Sequence, residues 1–239
     1  AKAQQRLGNA MLLIFVAGVV GLWLRAPVKA LFQEHLLANV GFGEAGFTDS
    51  FGALPELVKD NGGAQPVAPS PLRITNDETH TPQGKKPYEI PRELRDDELP
   101  GIVAGFRSAA QNAHAAGFDG VEVHGANGYL LDEFLRDGSN KRSGPYGGPI
   151  ENRARLLLEV VDAAISVWGA GSVGVRISPL NSYNSMSDSD PVGVTTYVAT
   201  ELDKRDVAYL HLMRADFFGV QQGDVVTPAR AAYRGVLVG

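Results

Sequence analysis

Residues 117–131 read Gly117-Phe118-Asp119-Gly120-Val121-Glu122-Val123-His124-Gly125-Ala126-Asn127-Gly128-Tyr129-Leu130-Leu131. A glycine closes a helical pattern, a polar turn follows, and Val121-Glu122-Val123 reads as a strand. His124, Asn127 and Tyr129 fall at and just beyond the strand's carboxyl end. Parallel α/β architectures build their sites at that end, because its loops vary while the sheet holds them rigid. An imidazole, a carboxamide and a phenol within six residues supply two hydrogen-bond donors and a proton source. Two donors polarise a carbonyl or nitro oxygen, and a tyrosine protonates the carbon beside it. The same spacing fits a structural set, in which His124 caps the strand, Asn127 shapes a turn and Tyr129 packs in a core. Spacing alone weighs the two readings evenly.

Working outward, the strand-helix alternation repeats. Upstream, acids at 96–98 precede Leu99-Pro100, a helix start with negative charge at the positive dipole end. Ile102, Phe106, Ala109 and Ala113 recur at helical spacing as far as Gly117. Downstream, a short amphipathic turn at 130–135 leads to a helix predicted over 150–167. Its buried stripe is Leu156, Leu157, Val160, Val161, Ala164 and Ile165, and the polar cluster Glu151, Asn152, Arg153 and Arg155 at its start reads as structural. A strand over 173–178 carries Arg176 in an apolar run, a position that is costly unless the charge is paired. On its own, Arg176 reads as a salt-bridged structural residue. The loop 179–190, with Asn181, Tyr183, Asn184 and Met186, is placed over the sheet's mouth. Asp190-Pro191 opens a helix to about 204, a strand at 209–213 follows, and a loop with Arg214, Asp216, Phe217 and Phe218 leads on. Thr227-Pro228 opens the last helix, before a strand at 235–238. Four strand-helix units predict an α/β fold, a partial or incomplete (β/α)8 TIM barrel; a full barrel needs about four more strands.

The remaining features bound the function. The chain has 239 residues, 44% hydrophobic and 21% charged, and a net charge of -5. That balance, with no long basic run, argues against nucleic acid as the main partner. The absence of cysteine excludes disulfides, thiolate catalysis and cysteine-ligated metals. The five histidines show no metal-ligand spacing, so no metal site is expected. Residues 1–61 form a divergent segment. Lys2 and Arg6 precede an uncharged run at 8–24, just short of a membrane span, and Val28-Lys29-Ala30 offers a cleavage-like pattern. A targeting or anchor element and a buried helix are the alternatives; membrane contact is expected only through this run, and the location is otherwise cytoplasmic. Helical pieces are predicted at 31–40 and 54–58, with His35 structural. A Pro-rich connection at 66–100 reads as a lid or binding loop, with His80 exposed on it.

Three stretches carry a resemblance. His124-Gly125-Ala126-Asn127-Gly128-Tyr129-Leu130-Leu131-Asp132-Glu133-Phe134-Leu135 continues to Arg136-Asp137-Gly138-Ser139-Asn140. Tyr146-Gly147-Gly148 precedes Ile150-Glu151-Asn152-Arg153-Ala154-Arg155, and Val173-Gly174-Val175-Arg176-Ile177-Ser178-Pro179 follows. Together they resemble the old yellow enzyme family of FMN-dependent ene-reductases over residues 62–239, roughly three quarters of the chain. The resemblance implies that His124 and Asn127 bind the substrate's activating oxygen, that Tyr129 is the catalytic proton donor, and that Arg176 contacts the flavin. It implies FMN as cofactor, NADH or NADPH as reductant, and an enone or nitro compound as substrate. It further implies a hairpin over the barrel mouth within 66–100 and a bracing role for 150–155, where Gly144 replaces a carboxylate of the family pattern. Residues 1–61 hold only Gly21-Leu22-Trp23-Leu24-Arg25 where the family has a flavin-contacting strand, through either a replaced or a misjoined amino-terminal part. The family's closing strand and phosphate loops are expected beyond Gly239. The alternative to an active enzyme is thus a non-catalytic, truncated relative that no longer holds FMN.

Overall fold

The computed structural model describes residues 65–75, 78–81 and 84–239. The expectations for residues 1–61, including the apolar run at 8–24 and the boundary at 61–62, lie outside the described residues. No helix among the described residues is long and apolar enough to cross a membrane.

Two small sheets come first. Strand β1 (Val67–Ala68) pairs in parallel with β4 (Arg92–Glu93), and β2 (Thr79–Thr81) forms an antiparallel hairpin with β3 (Gly84–Lys86). His80 therefore sits on a strand and not in a loop, which corrects the sequence expectation. The flanking β-branched Thr79 and Thr81 favour extended backbone. Arg142 ties the first sheet down: its guanidinium donates to the carbonyls of Pro69 and Leu94 and pairs with Glu93 and Asp96.

The body is a four-stranded parallel sheet in the order β5 (Val121–Gly125), β6 (Val173–Ile177), β7 (Tyr209–Leu212) and β8 (Val236–Val238). Its connections run through α1 (Leu99–Ala115) ahead of β5, then α2 (Leu130–Leu135), α3 (Ile150–Arg153) and α4 (Arg155–Trp168), then α5 (Pro191–Arg205) and α6 (Val226–Ala232). The alternation of side chains along a strand decides which face each residue takes. Val121, Val123, Val173, Val175, Ile177, Leu210 and Leu212 are buried on one face, beneath the helices. Helix α4 meets them with Leu156, Leu157, Val160, Val161 and Ala164, and α5 with Val194, Val198 and Leu202, each set at helical spacing. At Gly125 a Cβ would lie 2.8 Å from Leu157 Cδ1, so the glycine lets α4 close on the strand end. The opposite face carries Glu122 and His124, Gly174 and Arg176, Tyr209 and His211, matched across the strands by register. This polar face is the inner wall of a partial barrel.

Boundaries differ in detail from those read in the sequence. The helix expected over 150–167 is interrupted at Ala154, where Arg153 turns its side chain inward to Leu135 and Asp188. Ile165, expected in the buried stripe of that helix, is only partly buried against the core. Glu98 does not cap α1; its carboxylate accepts from Arg92 and the Arg95 backbone. Asp190, by contrast, caps α5 by accepting from Gly193 N at 2.8 Å, with Pro191 at the first helical position.

Candidate active site

Strand β5 extends through Gly125, which puts His124 on the strand and facing the inner wall. The chain then turns into α2 within four residues. Two consecutive residues make that turn in left-handed backbone, Asn127 at φ 61° and Gly128 at φ 71°. Asparagine tolerates this region better than other residues with a side chain, and glycine pays no steric cost there. Gly128 has no alternative: a Cβ would meet Asn184 Cβ at 2.7 Å and Tyr183 O at 2.9 Å. Tyr129 then takes the extended N-cap position of α2, and its ring lies 5.4 Å from that of His124, tilted by 45°.

Buried polar groups pin this loop from below. Asn127 N donates to Ser178 Oγ at 2.7 Å, and Gly128 N donates to Asp132 Oδ2 at 2.9 Å. Ser178 Oγ in turn donates to the same Asp132 oxygen at 3.3 Å. Complete burial pushes the Asp132 carboxyl up to about 6, against the charge of Arg136 and those hydrogen bonds. The Arg136 guanidinium is 3.9 Å from Asp132 and spends one Nη on Ser178 O at 2.9 Å, so the ion pair is too long to prevail.

The Asn127 carboxamide is oriented from a second side. Asn181 Nδ2 donates to Asn127 Oδ1 at 3.1 Å, while Asn184 Nδ2 reaches the carbonyls of Asn127 and Gly128 at 3.4 Å. His124 is held neutral at physiological pH. Burial first, then the nearby charges of Arg176 and His211, lower it to about 4.

Arg176 is the register neighbour of both His124 and His211. It is half-buried, its Nη2 faces Met213 Sδ at 3.8 Å, and its buried Nε has no hydrogen-bond partner among the described residues. No carboxylate among the described residues pairs with it, so the salt-bridged reading of Arg176 is corrected. A guanidinium on an inner wall without an acidic partner leaves donors for a ligand acceptor. Those donors suit the N1–C2 carbonyl edge of a flavin, which collects negative charge on reduction.

Sequence reasoning missed a lower layer of the wall. Glu122 accepts from, or donates to, His211 Nδ1 at 3.1 Å according to their protonation. The Tyr209 ring lies over Gly174, where a Cβ would come within 2.1 Å of Cζ. Burial, the Glu122 charge and a hydrogen bond to Glu122 push the Tyr209 phenol up beyond any physiological titration. A carboxylate two residues before His124, on the same strand face, was the available signal. Ser178, Asp132 and Asn181 were also missed as contributors; the partners of Ser178 and Asn181 are distant in the chain, whereas Asp132 holds Gly128 only four residues away.

At the rim, Asp216 ties the β7 loop to the β6 loop. It accepts from Ser182 N and Oγ, and from the backbone N–H groups of Phe218, Val220 and Gln221. Burial raises this carboxyl, but those donors outweigh it and bring it down to about 2. The loop so fixed holds Phe218 stacked on Tyr183, with centroids 6.3 Å apart. Among the described residues no cluster of His, Cys, Asp or Glu has the arrangement of a metal site.

Comparison with known proteins gives a consistent picture. The sequence profile of the NADH:flavin oxidoreductase / NADH oxidase family matches residues 51–229. A probable flavin mononucleotide-dependent alkene reductase of Leishmania infantum is 49% identical over 179 residues, 73% of this chain and 49% of that protein. A putative 12-oxophytodienoate reductase 6 of Oryza sativa subsp. japonica is 49% identical over 155 residues, 64% of this chain and 39% of that protein. Among solved structures, the old yellow enzyme from Trypanosoma cruzi superposes with a TM-score of 0.70 at 42% identity, covering 73% of this chain and 48% of that one. Morphinone reductase in complex with tetrahydroNAD gives 0.67 at 42% identity, covering 74% and 49%. The chain thus spans about half the length of the curated relatives it matches.

Proposed function

Because this chain belongs to the NADH:flavin oxidoreductase / NADH oxidase family, within the old yellow enzyme group, we propose that it forms the substrate-activating wall of an FMN-dependent reductase of enones or nitro compounds. The observation that carries this reading is the arrangement of His124, Asn127, Tyr129 and Arg176 at one strand-end face, with no acidic partner for Arg176 among the described residues. Bound FMN would supply two-electron hydride chemistry between NADH or NADPH and the substrate. Arg176 would hold the flavin edge and offset negative charge there. Asn127 Nδ2 and the neutral His124 N–H donate to the substrate's carbonyl or nitro oxygen and stabilise the charge developing on it. In this reading His124 stays neutral and acts as a hydrogen-bond donor, and the Tyr129 hydroxyl gives the proton to the α-carbon, the role that the family resemblance implies for it.

The test is a titration of the purified chain with FMN, followed through the visible absorption band. A saturable spectral shift at stoichiometric addition supports the reading. Free-flavin spectra persisting to tens of micromolar would overturn it for this polypeptide.

A further inference from the structure

A carboxamide is two-faced: one end accepts through oxygen, the other donates through NH2, and a half-turn exchanges them at almost no steric cost. An asparagine that serves as a donor to substrate therefore needs a neighbour that fixes its turn. We propose that Asn181 is that positioning residue: it holds Asn127 with its NH2 turned away from Asn181 and available to substrate, and so restricts the site to ligands presenting an acceptor oxygen. The inference rests on the proposed role of Asn127 and adds the origin of its polarity.

The argument starts from a group with only one possible role. The Tyr183 backbone N–H can only donate, and it points at the Asn181 carboxamide at 3.4 Å. The atom it meets must be Asn181 Oδ1. The other end of Asn181 is then NH2, and the Asn127 atom 3.1 Å from it must be an oxygen. Asn127 Nδ2 is left facing away, and it donates to no described residue. Asn181 itself is immobilised: it is 1% exposed, its N–H donates to Ser178 O at 3.1 Å, and its carbonyl accepts from Arg136 Nη1 at 3.5 Å. Asn184 touches only backbone carbonyls of the loop, so it cannot set the turn of the Asn127 side chain. Among the described residues Asn181 is the sole hydrogen-bond partner of that carboxamide.

The consequence is an unusual rank order of variants. In Asn181→Ala nothing selects between the two orientations, half the molecules present NH2, and KM for 2-cyclohexenone rises about twofold. In Asn181→Asp, assayed at pH 8 where the carboxylate is an acceptor only, Asn127 turns its NH2 toward position 181 and presents oxygen to the substrate. One misdirected hydrogen bond then raises KM roughly ten- to a hundredfold. A residue that merely fills space predicts the reverse, because aspartate is the isosteric replacement and alanine leaves a void.

A second measurement needs neither flavin nor turnover. Solvent exchange of the Asn127 side-chain NH2, followed by NMR on the labelled chain, should be fast in the wild type. In Asn181→Asp it should slow, as that NH2 becomes bonded. Should the Asp variant fail to fold, Asn181→Ala keeps the test: its Asn127 amide should show two environments in place of one. Equal KM in Asn181→Asp and Asn181→Ala, or an Asn127 amide signal insensitive to position 181, overturns the proposal. A chain that binds no FMN but shows the predicted exchange pattern refutes the proposed function and leaves the positioning role standing.

Discussion

At the scale of single residues, the site is built from groups whose ionisation is displaced in opposite directions. His124 is lowered to about 4 from an ordinary 6.5, while Asp132 is raised to about 6 from 3.8. The signs matter for stability. A depressed histidine stabilises fully above 6.5 and loses that contribution as pH falls towards 4, because the unfolded chain takes up the proton first. A raised aspartate behaves conversely: its contribution is full below 3.8 and is lost as pH rises through 6. Between pH 4 and 6 the two slopes oppose each other, and the wild type should show a nearly flat midpoint of urea unfolding from these two groups. His124→Asn removes one slope, so the variant should gain stability on acidification from pH 6.5 to 4; a midpoint that stayed as flat as in the wild type would contradict the displaced histidine. Tyr129 supplies the other residue-scale prediction. Tyr129→Phe keeps the ring beside His124 but removes the proton, and should slow substrate reduction roughly a hundredfold or more in the oxidative half-reaction. Flavin affinity and the NADH or NADPH half-reaction should be unchanged, which stopped-flow absorbance can separate.

At the scale of elements, the β5–α2 connection shows why a site can be half legible. His124, Asn127 and Tyr129 were visible in the sequence because they crowd the end of a hydrophobic strand within six residues. What orients them was not, because the anchors come from β6 and its loop. Ser178 lies 51 residues from the Asn127 N–H it receives, and Asn181 lies 54 from the carboxamide it holds. Periodicity reports neighbours along an element and carries no information on such pairings. The charge at Arg176 was likewise visible as an anomaly, but that no carboxylate among the described residues pairs with it emerged only once the strands were side by side. The element-scale prediction follows from Ser178. Ser178→Ala leaves the Asn127 N–H without its acceptor and Asp132 without one donor, a cost of about 1–3 kcal/mol for a buried group left unpaired. Thermal melts should fall accordingly, and KM should rise more than kcat falls, since the loop that carries Asn127 loosens while Tyr129 stays at the helix start. A drop in stability with unchanged KM would show that the loop holds its shape without Ser178.

At the scale of the whole molecule, the legible part was the alternation itself. Strands at β5 to β8 were expected near 121, 174, 209 and 236, and they form one parallel sheet, in which β5, β6 and β7 bury Val, Ile or Leu faces under the helices and β8 packs with the partly buried Leu237. A bracing role for 150–155 was expected, but its partners were not legible, and Arg153 is the hub of the ties between successive loops at the sheet's mouth. Its Nη1 donates to Leu135 O at the end of α2 at 2.6 Å and to Asp188 Oδ2 at 2.7 Å, and its Nε donates to Gly148 O at 3.0 Å. Asp188 in turn accepts from the backbone N–H groups of Asp137 and Asp190 at 2.9 and 2.8 Å. One buried pair thus joins the connection after β5 to the connection after β6, with side chains 5% and 0% exposed. Such a pair adds little over a well-packed apolar replacement, but breaking it from one side strands a buried charge. Arg153→Met should therefore lower stability by about 3–5 kcal/mol, more than either Ser178→Ala or a surface ion-pair variant. Arg153→Met with Asp188→Leu should recover a large part of that loss, because no uncompensated charge remains. If the double variant melts at or below the single one, the hub acts through its backbone hydrogen bonds rather than through its charge. Asp188→Asn then still loses one of these bonds, since Asp137 and Asp190 donate to different carboxylate oxygens and a carboxamide offers only one.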